Sequence, residues 1–440
     1  MPTPSLLIVP ARFKSGRLYS QIPTSGGDFT VTRALGTATR VNASGLIESV
    51  ASGIPRLDYY ASGGTVGCPA LLVEPSGSNG ILNSANTTTN WTLGAKLTSG
   101  AIDVMGVSGN NIGIALSGSG IGSADGRFVR FTNNVALASG STFTVSFLLK
   151  KTGSHTIGGY QLTMSSGVIG SGFDVSGSFA SGSNVDTAPT TNRIRRVEQY
   201  GTDVFRCSET FTMTAAATGT HLAFGPVSTV LVSTNSAVGT AMGFAAPQIE
   251  LGSIPTSFIP TTSAAVTRNG DLISVSGAVS GSIGQTQGTI YCEFAYFGQP
   301  VIRSGPVYLR QAASRGLSIN YSPSDSPSGI SFISRNDIGS TLITIVSGAF
   351  QIGTYYKIAI GYDAANTAAG GSQASGVVAY VNGVQTAIGL LRVPDAAGLT
   401  EFRMYGANSG TDAEAFNGRI RAAALYTTRL TDAQLAALTT

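Results

Sequence analysis

Two acidic side chains near the C-terminus are the closest approach of the chain to a catalytic pair. Asp412 and Glu414 lie in a glycine-flanked segment, and alternate residues of a strand point to one face about 7 Å apart. Glycoside hydrolysis needs two carboxylates placed across the scissile bond. The chain has only 22 acidic residues in 440, and no Glu-x-Asp-x-Glu pattern accompanies this pair. We therefore predict that the chain is not an enzyme, and we keep glycan depolymerase as the weakest alternative.

Other catalytic and metal-binding patterns are incomplete. His155 and His221 have no neighbouring motif, and the sequence contains no G-x-S-x-G elbow. Calcium prefers several oxygen ligands at close range, which Asp363, Asn366 or Asp412 could supply. No D-x-D-x-D-G loop accompanies them. We predict no cofactor and leave calcium as an alternative.

Aromatic side chains could instead bind a sugar, because stacking rings combined with a few polar groups are the usual tools of such sites. The candidates for carbohydrate binding are Trp91, Tyr362, Tyr380 and Tyr405. For Trp91, the only tryptophan, the position in the sequence favours the core or edge of a sandwich over a sugar platform. Each tyrosine is as compatible with half-buried packing as with a surface platform.

Composition limits the class of protein. Charged residues are 11% of the chain, against about 25% in ordinary globular domains, which favours a subunit that buries much of its surface in an assembly. The net charge of +4 is scattered, and its densest cluster is Arg193, Arg195 and Arg196. This cluster is typical of a solvated face or a subunit contact. Without a continuous basic stripe, we predict no nucleic-acid partner.

Cysteine usage and hydropathy indicate the cellular compartment in which the chain is made. Cys68, Cys207 and Cys292 are odd in number, far apart and without a metal-binding pattern, so we expect them to be reduced and buried. The apolar run at residues 6–9 is too short for a signal peptide. No apolar run is long enough to span a membrane. We expect synthesis in the cytoplasm without a cleaved signal, and no membrane insertion.

The local patterns predict an all-β chain with one short terminal helix. Residues 355–362 and 376–381 are rich in β-formers, and Asn382-Gly383 after the second run is a strong hairpin signal. Residues 420–426 form a last strand-like run. Thr431 or Asp432 then caps a terminal helix.

Organisation along the chain falls into three parts. We predict an N-terminal module of short strands at residues 1–78, a first sandwich at 79–262 and a second sandwich at 263–440. Both sandwiches should be antiparallel. The alternation at residues 143–147 predicts a half-buried strand, and Pro255 and Pro260 mark the exit from the first sandwich.

The N-terminal module has too little apolar area to stand alone. We therefore expect residues 6–9 and 71–73 to be buried against a partner or a sister subunit. Residues 30–33 (TVTR) are faintly echoed by residues 265–268 (AVTR), although four residues are too few to define a repeat.

Residues 28–75 resemble a module that recurs in structural proteins of tailed bacteriophages. Residues 90–92 and 248–268 resemble the boundaries of the carbohydrate-binding-module-like sandwich that commonly follows it. The last third, with its Val-Asn-Gly hairpin and LTDAQLAAL tail, resembles a concanavalin-like or laminin-G-like domain. The resemblance implies that the sandwich at 79–262 is carbohydrate-binding-module-like and that both sandwiches are of the jelly-roll, lectin-like kind.

This resemblance implies a non-enzymatic virion structural protein, either a tail fibre or a head decoration. It implies residence in the virion after synthesis in the host cytoplasm, contacts with other virion proteins and a homo-oligomer, with a trimer favoured. The alternative is a receptor-binding adhesin for host surface glycans. No catalytic residue is implied for any position of this chain.

Overall fold

The computed structural model describes residues 2–10, 20–21, 29–33, 38–60, 66–85, 91–93, 97–106, 113–118, 129–132, 135–152, 156–176, 181–226, 240–277, 281–298, 304–312, 315–322, 329–336, 339–348, 350–366, 376–391, 398–404 and 416–440. Across these residues the chain is almost entirely antiparallel β-structure with one short α-helix, as predicted. None of the helices in them is long and apolar enough to cross a membrane.

The strands follow one another in three groups along the chain. The first group is Leu6–Ile8 (β1), Ser20–Gln21 (β2), Thr30–Thr32 (β3), Ala38–Val41 (β4), Ile47–Val50 (β5), Leu57–Tyr60 (β6), Val66–Val73 (β7) and Gly77–Asn79 (β8). The second is Trp91–Leu93 (β9), Leu97–Ile102 (β10), Gly113–Gly118 (β11), Val129–Thr132 (β12), Ala136–Leu137 (β13), Thr142–Lys151 (β14), Ile157–Met164 (β15), Gly167–Asp174 (β16), Ser181–Asp186 (β17), Thr190–Gln199 (β18), Val204–Met213 (β19), Ala217–Pro226 (β20) and Thr240–Leu251 (β21). The third is Val266–Arg268 (β22), Leu272–Ser276 (β23), Gln287–Tyr296 (β24), Ser304–Ala312 (β25), Arg315–Ser322 (β26), Gly329–Arg335 (β27), Ser340–Ser347 (β28), Tyr356–Asp363 (β29), Val377–Val381 (β30), Val384–Gly389 (β31), Glu401–Met404 (β32) and Gly418–Tyr426 (β33), with a 3-10 turn at Ala364–Asn366 and the helix Asp432–Thr439 (α1).

The first sandwich consists of two antiparallel sheets. One has the strand order β10-β11-β21-β14-β19-β18, and the other has the order β17-β16-β15-β20-β12-β9 with β13 attached to β20. Aromatic residues dominate the core between them, with Phe147 within contact distance of the rings of Tyr160, Phe173 and Phe224. Ring pairs of this kind contribute beyond their buried area.

The second sandwich pairs a nine-stranded sheet with a seven-stranded one. The first has the order β2-β1-β33-β24-β29-β30-β31, with β7 and β6 attached at β33, and the second has the order β28-β27-β26-β25-β32-β23-β3. Isoleucine, leucine, valine and aromatic side chains of both sheets fill one continuous core. This agrees with the predicted antiparallel sandwich.

Strands from residues 1–78 lie within the sheets of the second sandwich. β1 and β7 both pair with β33, and β3 pairs with β23. We expected a partner to cover residues 6–9 and 71–73, but the chain's own last strand covers them, and Leu6, Ile8, Leu71 and Val73 are core residues. The predicted divisions at residues 78 and 262 stay predictions.

The outer face of the β14 sheet is also covered. Phe143, Val145 and Phe147 point into the core as predicted, but Thr144 and Ser146 are buried as well. The Thr144 hydroxyl donates to the Gly252 carbonyl at 2.8 Å, because the chain after β21 folds back over this sheet. The prediction of a half-buried strand is therefore wrong for β14.

A buried ionic network joins the N-terminal strands to the start of the second sandwich. Arg33 Nη1 lies 2.8 Å from Asp271 Oδ1, and Arg56 Nη1 lies 2.7 Å from Glu74 Oε2. Arg268 Nη2 lies 3.4 Å from the same Glu74 oxygen. These five residues form the central ionic network. Arg33 and Arg268 end the two short segments that echo one another in sequence, and both converge on this pair of carboxylates.

The C-terminal hairpin and helix form as the sequence predicts. Asn382 and Gly383 both have positive φ, 48° and 85°, as a two-residue turn of the favoured twist requires. Thr431 is the N-cap of α1, and its hydroxyl accepts from the backbone N–H of Gln434 in a capping box. Leu435 of the helix packs on the outer face of the nine-stranded sheet.

The cysteines differ in part from expectation. None forms a disulfide, and Cys207 and Cys292 are buried, but Cys68 is exposed. In β7 the buried positions begin only at Ala70, so Cys68 precedes the part of the strand that enters the core.

Candidate functional site

The predicted aromatic platforms on the second sandwich lie on opposite faces of one sheet. Tyr362 is 1% exposed in the core and donates its hydroxyl to the Gly284 carbonyl at 2.6 Å, so its ring has no face open to a sugar. Tyr380 is 8% exposed, packs beneath α1 and lies 3.1 Å from Gln385 Oε1. The structure does not bring these two rings together in one site.

Several other predicted residues lie outside the described part of the chain. Tyr405, Asp412, Glu414 and His155 are among them. The backbone of Trp91 belongs to β9 and pairs with Phe131, but its side chain is not described. These residues keep the status of sequence predictions.

The polar candidates that the structure does describe have local roles. Asp363 Oδ1 accepts from the Ala365 backbone N–H at 2.9 Å, at the start of the 3-10 turn that contains Asn366. His221 Nδ1 lies 3.2 Å from the Thr220 hydroxyl. Among the described residues, no three His, Cys, Asp or Glu side chains are grouped as a metal site requires.

Two arginines of the densest basic cluster point into the first sandwich rather than to solvent. Glu209 lies in the inward row of β19, and both Arg193 and Arg195 reach its carboxylate from β18. The ladder between these strands is irregular at Asn192, which has a positive φ of 52°. Such a bulge re-aims the side chains beside it. The expected solvated face or subunit contact is therefore wrong for Arg193 and Arg195.

Hydroxyl groups from two neighbouring strands of the facing sheet, β15 and β16, complete this arrangement. Tyr160 donates to Glu209 Oε2 at 2.8 Å, and the Ser171 hydroxyl accepts from Arg193 Nη2 at 3.0 Å and from Arg195 Nε at 2.7 Å. Burial and the charge of Glu209 raise the pKa of the Tyr160 hydroxyl well above its usual value, so it stays protonated. Tyr160, Ser171, Arg193, Arg195 and Glu209 are the buried cluster.

The buried cluster has the chemistry of a structural tie. The Glu209 carboxylate is fully buried, and a buried charge is tolerated only when it is paired and hydrogen-bonded. Its partners come from both sheets, so the cluster links the two layers at the edge formed by β16 and β18. It offers little surface to a ligand.

A second group of the same residue types lies on the outer face of the nine-stranded sheet. The guanidinium of Arg421 lies 3.4 Å from the centroid of the Tyr355 ring, and Arg421 Nη1 lies 3.5 Å from Glu293 Oε1. Lys357 is the cross-strand neighbour of Glu293. Glu293, Tyr355, Lys357 and Arg421 are the surface cluster.

A bulge places the central arginine of the surface cluster. Glu293 pairs with Ala422 and Phe294 with Ile420, so Arg421 is the extra residue of β33. Ile420 is buried in the core, whereas the Arg421 side chain is 43% exposed. The bulge therefore turns the guanidinium outward and fixes it above a ring, which leaves its donors beside a carboxylate acceptor.

The neighbouring arginine makes the inner side of this face rigid. Arg419 lies 4.2 Å from the ring centroids of both Tyr60 and Phe297, and its Nε donates to Asp58 Oδ2 at 2.5 Å. Two stacked rings and a buried carboxylate hold it in one orientation. Arg421 therefore lies on β33, and Arg419 holds that strand in place on the side next to the first sandwich.

Sequence reasoning missed the surface cluster, although the chain carries a signal for it. Arg419 and Arg421 occupy alternate positions of β33, whose other residues are mostly apolar, in a chain with little charge. Such outward charges on a central strand stand out against the composition. Their pairing with Tyr355 depends on the order of strands, which local patterns do not give.

A cavity where the N-terminal strands meet the two sandwiches is too small for a sugar. Its volume is about 30 Å³, and Thr39, Asp58, Arg206, Gln248 and Arg419 are among its lining residues. A cavity of this volume holds about two or three waters, so it is not a candidate site for a sugar.

Comparisons with known proteins give partial similarities of fold. No family model and no curated protein matches the chain. Among solved structures, part of it is similar to the carbohydrate-binding module CBM40 of the Ruminococcus gnavus IT-sialidase bound to alpha2,3 sialyllactose, with 18% identity, a TM-score of 0.29, and coverage of 37% of this chain and 86% of that one.

Two further similarities are of the same size. Domain 4 of AbnA, a GH43 extracellular arabinanase from Geobacillus stearothermophilus in complex with arabinotriose, matches at 17% identity and TM-score 0.29 over 39% of this chain and 73% of that one. The heptameric SAP-like pentraxin from Limulus polyphemus matches at 10% identity and TM-score 0.26 over 35% and 70%. Similarity of this size does not transfer a ligand or an activity to this chain.

Proposed function

We propose that this chain is a non-enzymatic glycan-binding protein and that the surface cluster contacts the sugar. The observation that carries the proposal is the exposed Arg421 guanidinium, fixed 3.4 Å from the Tyr355 ring beside Glu293. A flat platform with a donor and an acceptor side by side is the kind of surface that suits a sugar ring with neighbouring hydroxyl groups.

Each member of the surface cluster has a separate role in this proposal. Arg421 donates to one sugar hydroxyl, and Glu293 accepts from the next. Burial is the main cause that raises the pKa of the Tyr355 hydroxyl, so Tyr355 stays neutral and serves as the apolar backing. Lys357 on β29 donates to the Thr440 carbonyl at 2.6 Å. This hydrogen bond ties Thr440, which follows α1, to β29.

A binding experiment with matched variants tests this assignment. Printed glycans and polysaccharide extracted from candidate host bacteria serve as probes, with wild type compared to Arg421→Ala and Glu293→Gln. The control is Arg403→Ala, because Arg403 pairs with Glu401 at 2.8 Å on the other sheet and its side chain is also partly exposed, at 20%. We expect a common ligand for wild type and control, and at least about tenfold weaker binding for both cluster variants.

Two outcomes would overturn the proposal. If wild type binds no glycan, the proposed function is wrong. If Arg403→Ala loses as much binding as the cluster variants, the assignment of the site to the surface cluster is wrong. Size-exclusion profiles of the polysaccharide after prolonged incubation test the non-enzymatic part, because shortened chains would indicate a depolymerase.

The biological setting of this activity is a finer part of the same proposal. We place the protein on the virion of a tailed bacteriophage, as a receptor-binding adhesin or tail fibre for host surface glycans, with head decoration as the other position. The support is the resemblance of residues 28–75 and 248–268 to phage structural proteins. Both segments contribute to one unit in the structure, since Glu74 accepts from the Ser257 hydroxyl at 2.7 Å inside the central ionic network.

Purified particles test the setting. Mass spectrometry should detect the protein in virions, and labelled antibody should locate it on the tail. Antibody against the surface cluster should block adsorption if the protein is an adhesin, whereas a head decoration should leave adsorption unchanged. A protein missing from purified virions contradicts the phage setting but leaves the glycan test standing.

A further inference from the structure

The first sandwich is inserted into the second. Among the described residues, its two sheets contain only strands from β9 to β21, whereas the sheets of the second sandwich combine β1, β2, β3, β6 and β7 with strands from β23 to β33. The chain therefore leaves the second sandwich through β8 and returns to it through β22. These two strands pair with each other, Ser78 with Thr267 and Gly77 with Arg268, and together they are the stem of the first sandwich.

A stem of two neighbouring strands does not by itself fix the direction of a domain. Relative motion of two domains is the expected behaviour unless a large apolar interface holds them together. In the described part of the chain, Val41 and Ile47 are the only buried N-terminal members of the apolar cluster on this side of the first sandwich. The apolar part of the contact is therefore small, and polar groups must supply the rest of a fixed orientation.

The central ionic network lies at the base of this stem. The Asp271 backbone N–H donates to the Glu74 carbonyl at 2.9 Å, and the Glu74 backbone N–H donates to Asp271 Oδ2 at 3.0 Å. Arg268 Nη2 donates to the Pro75 carbonyl at 2.7 Å. The residues that form the network therefore also bond the chain that enters the stem to the chain that leaves it.

Arg56 connects the base of the stem to the first sandwich. Its Nη1 lies 2.7 Å from Glu74 Oε2 and 2.7 Å from the Ser257 hydroxyl, and its Nη2 bonds Asp271. Ser257 belongs to the segment after β21 that folds back over the outer face of the first sandwich. One guanidinium therefore holds both sides of the stem and the segment that covers the first sandwich.

A second contact depends on the same guanidinium. Arg56 Nη1 also lies 3.2 Å from the Thr39 carbonyl on β4, and the Thr39 hydroxyl donates to the Phe258 carbonyl at 2.6 Å. A planar guanidinium fork fixes the positions of its acceptors more strictly than a flexible amine does. Arg56, Glu74 and Asp271 are all buried, so solvent does not weaken these bonds as it weakens bonds at the surface.

We propose that the central ionic network is a clamp, which holds the first sandwich in one orientation on its stem. When the fork of Arg56 is removed, the first sandwich should swing on β8 and β22 while both sandwiches stay folded. The clamp does not depend on the glycan proposal.

Double electron–electron resonance on the full-length chain measures this orientation as a distance between two spin labels. The labels are attached at Leu251→Cys and Val384→Cys, since these side chains are 68% and 64% exposed and lie on different sandwiches. A Cys68→Ser background removes the exposed native thiol, and the other two cysteines are buried.

Two variants weaken the clamp to different degrees. Arg56→Lys keeps the buried charge but loses the fork, and Ser257→Ala removes only the hydroxyl that joins the network to the first sandwich. The matched control is Ser78→Ala, because the Ser78 hydroxyl lies on the stem at an exposed position outside the network. We expect one narrow distance distribution for the intact network and the control, and a distribution at least about twofold broader for both clamp variants.

Folding is checked on the same samples. Circular dichroism and the hydrogen-exchange protection of β14 and β24 should match those of wild type, which separates a swing of the first sandwich from unfolding. If Arg56→Lys does not fold, Ser257→Ala decides the test.

Three outcomes overturn the proposal. They are a broad distribution with the intact network, a narrow distribution in both Arg56→Lys and Ser257→Ala, and equal broadening in Ser78→Ala, which would show that the stem alone sets the orientation. A chain with the expected distances that binds no glycan contradicts only the proposed function.

Discussion

The buried cluster of the first sandwich and the surface cluster of the second use the same three residue types to different effect. Each combines a glutamate and an arginine on neighbouring strands with a tyrosine from another element. In the buried cluster, Tyr160 and two arginines all bind Glu209, which is fully buried. In the surface cluster, the Arg421 side chain is 43% exposed; it stacks on Tyr355 and lies beside Glu293.

The difference shows that position relative to the sheet, rather than residue type, decides the role of such a trio. An inward glutamate must be neutralised within the protein, so its partners are committed to it. The outward Glu293 still reaches solvent, with 17% of its side chain exposed beside the 43% exposed Arg421, so this pairing is weaker than a fully buried one and can be exchanged for a ligand. The predictions that follow measure this difference, beginning with the largest effect.

Substitution of the inward glutamate should strongly destabilise the first sandwich. Glu209→Gln leaves Arg193 and Arg195 without their carboxylate, at a cost of about 3–5 kcal/mol in the free energy of unfolding. The matched change on the surface, Glu293→Gln, should cost about 1 kcal/mol or less. Urea unfolding followed by circular dichroism measures both effects. Equal costs for the two variants would mean that burial does not separate the clusters.

Low pH should destabilise the central ionic network, because its buried carboxylates also need their charged partners. Burial alone would raise the pKa of Glu74, but the charges of Arg56 and Arg268 and hydrogen bonds from Ser257 and Arg56 outweigh it and lower the pKa to about 2. A lowered folded pKa gives stability that is present above the unfolded pKa of 4.5. That stability, about 3 kcal/mol, is lost as the pH falls from 4.5 towards 2.

Urea unfolding at pH 6 and at pH 2.5 checks this contribution. Glu74→Gln should lose less stability between the two pH values than wild type does. Asp432→Asn is the control, because Asp432 is exposed and pairs with Arg429 near the surface. An unchanged pH dependence in Glu74→Gln would show that this carboxyl titrates normally in the folded chain.

The sequence predicted local elements well and their long-range pairing poorly. The Asn382-Gly383 turn and the Thr431 cap depend on neighbouring residues, and both form as predicted. The pairing of Leu6 with Leu425 connects opposite ends of the chain, and no local pattern encodes it. For this reason residues 1–78 were expected to need an external partner.

The candidate sites show the same limit. Tyr362 and Tyr380 are alternating tyrosines on neighbouring strands, and only the sheet order and the position of α1 show that both are covered. Glu209 was accessible to sequence reasoning, because it occupies the same period-two row as the core residues Cys207 and Phe211. An inward glutamate in such a row predicts a buried cationic partner.

Removal of the bridging hydroxyl should test how tightly the buried cluster is coupled. Ser171 accepts from both arginines, so Ser171→Ala leaves two buried donors without this acceptor and should cost about 1–3 kcal/mol. Ser78→Ala is the control, since the hydroxyl of Ser78 contacts Thr267 at an exposed position. Urea unfolding followed by circular dichroism again provides the measurement. Similar small costs for both serines would imply that water replaces the Ser171 hydroxyl.

The smallest effect on stability should accompany the largest effect on binding. Arg421→Ala removes a partly exposed stacking contact and a 3.5 Å ion pair, and together these should contribute about 1 kcal/mol or less to the free energy of unfolding. Arg421→Lys keeps the charge but loses the planar guanidinium that lies over Tyr355. If the plane is what a sugar recognises, both variants should lose glycan binding while their unfolding curves overlay that of wild type. Full binding by Arg421→Lys would show that charge alone suffices, and a destabilisation comparable to that of Glu209→Gln would show that the surface cluster is structural after all.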